Sequence, residues 1–133
     1  MAIANLTEKL LFYTLQKSNI SLQLSNIQMD QLSATKSQAA VQLAYNQNLQ
    51  DLYYDPNVGH DVDLEAYTQY LVQLQNEHEF EMSSLTAWES ELENRKESLE
   101  TQLNEITAYE NSWQSFLKSN IQKDFQYGGK GGQ

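Results

Sequence analysis

The feature that most constrains this chain is where its helix breakers stand. The single proline is Pro56, and the five glycines are Gly59, Gly128, Gly129, Gly131 and Gly132. Residues 1–55 and 60–127 therefore contain neither residue. Inside a helix glycine costs about 1 kcal/mol and proline about 3 kcal/mol, so their confinement to two short stretches reads as punctuation. The order it spells is helix, loop, helix, tail.

Apolar spacing agrees. From Ile3 to about Tyr53, positions 3, 6, 10, 13, 17 and onward to 52 step alternately by three and four residues, and eleven of the fifteen are apolar. From Leu64 to Tyr127 the same step runs over nineteen positions, thirteen of them apolar: Leu64, Tyr67, Leu71, Leu74, Leu85, Trp88, Leu92, Leu99, Ile106, Tyr109, Trp113, Phe116 and Tyr127. A period of about 3.5 residues kept over this length is the signature of a left-handed coiled coil. Residues 54–63 lie between the two stretches. Pro56 ends the first helix, and Gly59 permits a positive φ in the turn. Asp61 or Asp63 caps the second helix, and Asn5 with Glu8 caps the first. The expected fold is all-α: a long antiparallel coiled-coil helical hairpin, helix 1 over about 3–53, loop 54–63 and helix 2 over about 64–127, with a disordered Gly-rich tail at 128–133. A bend centred near residue 58 sets Gln38 opposite His78, and Lys17 near Glu100 and Gln102.

Two helices bury one seam and little more. Outside the seam, helix 2 carries Leu103, Leu117, Ile121 and Phe125, and helix 1 carries Leu11, Phe12, Leu15 and Leu22 at the facing end. These eight residues form the expected interaction surface, where further helices of the same or another protein dock and build a larger bundle. Composition along helix 1 fits a face turned toward protein. Nineteen of the thirty-seven residues 14–50 are Ser, Thr, Asn or Gln, which are buried against protein far more cheaply than charges. Helix 2 instead places ten Glu between residues 77 and 110, a face expected to meet water.

Charge and composition then narrow the function classes. The net charge is −10, and residues 1–53 balance to zero, so the excess lies wholly in residues 54–133. A polyanion repels phosphate, which disfavours nucleic acid and anionic membrane surfaces as partners. With no cysteine there is neither a disulfide framework nor a thiolate site. No stretch approaches the ~18 consecutive apolar residues of a membrane span. No signal peptide is expected either, so the chain is cytoplasmic or leaves by a route that reads no Sec signal.

No constellation for chemistry stands out. In the loop, Asp55, Asn57, Asp61, Asp63 and Glu65 alternate oxygen donors as a calcium loop does. The glycine falls at position five rather than six, however, and Ala66 stands where the bidentate glutamate belongs. His78 and Glu81 reverse the Glu-x-x-His order of di-iron bundles and read as a polar layer that sets register. Trp88, Tyr109, Trp113 and Phe116 read as core. No catalytic residue, cofactor or metal is expected. The expected role is that of a non-enzymatic structural or scaffolding protein acting through helix–helix self-association or partner docking. The alternatives are an export-associated helical protein (a surface filament subunit, or a coiled-coil chaperone or stalk of a secretion system) and a calcium-responsive hairpin.

Overall fold

A computed structural model describes the backbone of residues 3–131 and the side chains of residues 3–125. The protein is a helical hairpin of two long helices packed on each other, α1 (Ile3–Tyr53) and α2 (Leu64–Gly131), with no strand among the described residues. Its contacts divide into two compact units. The terminal unit joins residues 1–27 to residues 95–133, and the loop unit is residues 28–94.

α1 begins at Ile3, so Asn5 lies inside the helix and does not cap it. In this first turn it is Thr7 that bonds back, its Oγ1 donating to the Ile3 carbonyl at 2.9 Å. α2 starts as its sequence asks, with Asp63 as cap. The Asp63 carboxylate accepts from the Ala66 N–H at 3.1 Å, while its carbonyl accepts the first helical bond from the Tyr67 N–H at 2.9 Å. At the other end α2 continues through Gly131, into the stretch assigned above to a disordered tail. Gly128, Gly129 and Gly131 disfavour helix but, unlike proline, they keep the N–H that the ladder to the carbonyl four residues back needs. Residues 132 and 133, the rest of that tail, lie outside the described residues, as does the side chain of Tyr127.

In the loop unit, the chain does not reverse at once after α1. The Tyr54 N–H reaches the Gln50 carbonyl, Asp55 reaches Leu52, and the Gly59 N–H reaches the Asp55 carbonyl at 2.7 Å. The Asp55 carboxylate accepts from the Asn57 N–H at 2.8 Å, closing an Asx turn over Pro56. His60 folds back to stack on Tyr53, ring centroids 3.8 Å apart and planes within 10°. Residues 54–60 are thus coiled onto the end of α1 before the chain turns back, and the bend is centred nearer residue 61 than 58. Tyr45, not Gln38, consequently faces His78, with centroids 4.0 Å apart. Gly59 has no positive φ. It is needed for a different reason: a Cβ there would collide with the Asp55 carbonyl oxygen and crowd that of Tyr53 at 3.1 Å.

The cores are slim. The terminal unit buries Leu6, Ile20 and Ile27, and the loop unit Ala34 and Leu92. Along α1 the positions shielded from water follow the expected steps closely, from Leu6 through Tyr45. Near the loop Leu49 replaces Asn48, which stays exposed and so needs no polar partner. Along α2 one column of the seam holds throughout: Leu71, His78, Leu85, Leu92, Leu99, Ile106, Trp113 and Asn120 are all shielded. The other column changes phase. It includes Leu74 near the loop but passes to Met82, Lys96, Leu103, Glu110 and Leu117, one residue later in each repeat than expected. Tyr109 and Phe116, expected in the seam, are exposed in consequence.

Candidate interaction surface

The terminal unit brings both helices' extra apolar residues into one unit. On α1, Leu11, Phe12, Leu15 and Leu22 are all more than half exposed. On α2, Ile121 is 50% exposed and Phe125 81%. Leu103 and Leu117 differ from the other six: they are half-buried, in the column that packs toward α1. The phase change that turns these two inward turns Tyr109 and Phe116 outward. Six of the eight anticipated residues are therefore exposed, as are Tyr109 and Phe116.

The exposed aromatic residues of this unit contact the half-buried Tyr13 and Trp113. Tyr13 stacks on Tyr109 at 6.0 Å and meets Phe12 edge-on at 5.7 Å. Trp113 packs against Phe116, and the Lys9 ammonium lies 4.6 Å from the centre of its ring, within cation–π range. Lys17, a cation in the apolar seam of α1, pairs with Glu110 at 3.0 Å rather than approaching Glu100 or Gln102. Thr14 donates to the second oxygen of the same carboxylate at 3.3 Å. Glu110 is thereby largely withdrawn from water, unlike the solvated glutamate face expected of α2. A charge at this depth is tolerable because both its oxygens are satisfied.

The terminal and loop units differ sharply in charge. The loop unit carries twelve acids against one base, Lys36, whereas the terminal unit carries six acids against seven bases. The whole of the acidity therefore resides in the loop unit, and the apolar terminal surface sits on a near-neutral background. Such a background lets like surfaces approach without a Coulombic cost.

The loop unit offers little that resembles a site for a small molecule or ion. Asp55 and Asp63, two of the loop's oxygen donors, are occupied by the backbone N–H groups of Asn57 and Ala66. Asp61 pairs with the His60 ring at 3.2 Å. Among the described residues no three His, Cys, Asp or Glu side chains gather where they would hold a metal ion. His78 stands beside a hollow of about 90 Å³ lined by Tyr45, Asn48 and Glu81 among others, and its Nδ1 is buried without a hydrogen-bond partner. Its ring stacks on Tyr45. Glu81, its proposed companion in a polar layer, is exposed. Trp88 is half-buried in this unit, apart in sequence from the aromatic cluster of the terminal unit.

Among the described residues, no helix is long and apolar enough to cross a membrane. No protein family, curated protein or solved structure matches this chain.

Proposed function

We propose that this protein is a non-enzymatic structural element, a coiled-coil hairpin that works by helix–helix self-association. The observation that carries this reading is the exposure of Leu11, Phe12, Leu15, Leu22, Ile121 and Phe125 within one near-neutral unit. Large apolar side chains of two helices, gathered in one unit free of net repulsion, mark an interaction surface rather than an ordinary solvated one.

Sedimentation equilibrium over a wide concentration range tests this, with helicity followed by circular dichroism. The expected result is a discrete oligomer, weakened when Leu11→Ser is combined with Ile121→Ser and unaffected by Glu79→Lys on α2. Open-ended growth would instead indicate a filament subunit. A highly helical monomer at every concentration would overturn self-association.

A further inference from the structure

The exposed apolar residues of α1 are not scattered. Leu11, Leu15, Leu22, Met29, Leu32 and Leu43 are each 56–67% exposed, and all six fall on one alternating step of four and three residues. Ser18, Ser25, Lys36 and Ala39 occupy the remaining positions of that step. This is a second heptad seam, and on a helix of about 100° per residue it lies roughly 150° around α1 from the seam that packs on α2. From residue 11 to residue 43 its flanks are Ser, Thr, Asn, Gln, Ala and Phe12, so Lys36 is the one charge on this whole face. α1 is built as the inner helix of a bundle, with one side covered and the other bare.

We infer that the bare seam is covered by α1 of a second copy, running antiparallel about a two-fold axis near residue 27. This rests on the self-association reading and names the surface and geometry of the contact. Two observations select this occupant. The first is self-complementarity of the sequence. In that register Leu11 meets Leu43, Leu15 meets Ala39, Leu22 meets Leu32 and Met29 meets Ser25, while Lys36 meets Ser18. A parallel, in-register pair would press Lys36 against Lys36 across the seam. The second is charge. Antiparallel pairing sets residues 28–43 of one copy against residues 11–26 of the other, so each acidic unit faces its partner's near-neutral one. Parallel pairing would align two units of twelve acids and one base side by side.

The chain has no cysteine, so introduced ones are the sole targets for a short thiol cross-linker. Ser18→Cys and Lys36→Cys, both on the bare seam, are prepared separately and then mixed. The expected result is a cross-linked dimer in the mixture and none with either variant alone. Leu22→Lys, an exposed position, should leave helicity unchanged and weaken the dimer at least ~30-fold, as loss of a central anchor does. Ser18→Cys cross-linking to itself would overturn the antiparallel arrangement. A dimer that resists Leu22→Lys and gives no mixed cross-link would overturn this seam and leave self-association through another surface standing. A chain that stays monomeric throughout would overturn both, and would assign the bare seam to a different helical protein.

Discussion

At the scale of single residues, Gly59 shows how one position carries a turn. Its backbone passes so close to the Asp55 carbonyl that no side chain fits, although its φ is one that any residue adopts. Gly59→Ala should therefore destabilise the protein by about 1–3 kcal/mol, the range for forcing an atom into filled space, read as a lower urea midpoint. Loss of nothing would show that the carbonyl yields freely. Asp63→Ala should cost about 1 kcal/mol as a lost helix cap. Asp61→Ala, whose side chain is largely exposed, should cost less. Glycine was legible here as a requirement, but not its cause. A positive φ and a close approach both call for a missing Cβ, and only coordinates separate them. Asn5 was misread for a related reason. A capping residue and a polar residue one turn inside a helix look alike when the start is defined only by the first apolar position.

At the scale of elements, the helices and the loop between them were legible because breakers and period agreed. The second column of the α2 seam was not. In the stretch 81–124 the expected column offers Trp88, Tyr109 and Phe116, and the column one residue later offers Met82, Leu103 and Leu117, a tie in apolar content. The tie breaks on a polar contact. Lys17 lies in the seam of α1 and needs an anion, and Glu110 stands in the later column to supply it. The turn at residues 54–60 shifts the facing positions as well, and a bend placed at its midpoint in sequence missed this. The phase change has a measurable consequence. Leu103→Ala and Leu117→Ala should each lower stability by about 1.5–3 kcal/mol, whereas Phe116→Ala should cost under about 1 kcal/mol despite removing a larger side chain. The opposite order in chemical denaturation would place Phe116 back in the seam. Of the eight candidate surface residues, six are exposed, while the same one-residue phase turns Leu103 and Leu117 half inward.

At the scale of the whole molecule, the governing quantity is the separation of charge between the loop and terminal units. Twelve acids and one base share residues 28–94, while the rest of the chain is balanced. Like charges along two packed helices repel over several ångströms, and the slim core of the loop unit, Ala34 and Leu92, has little to set against that. Salt screens such repulsion strongly, because the Debye length falls from about 30 Å at 0.01 M to about 10 Å at 0.1 M. Raising sodium chloride across that range should therefore stabilise the protein, the reverse of what surface ion pairs would produce. The gain should be local. Amide hydrogen exchange should slow across residues 28–94 and change little across residues 3–27, where Glu8 stands with only Lys9 and Lys17 and the Lys17–Glu110 pair loses slightly by screening. Uniform slowing along both helices would mean that the two units open as one and that charge separation does not set their relative stability. Slowing confined to the loop unit would make the acidic unit the point from which this hairpin opens, with charge repulsion as the cause.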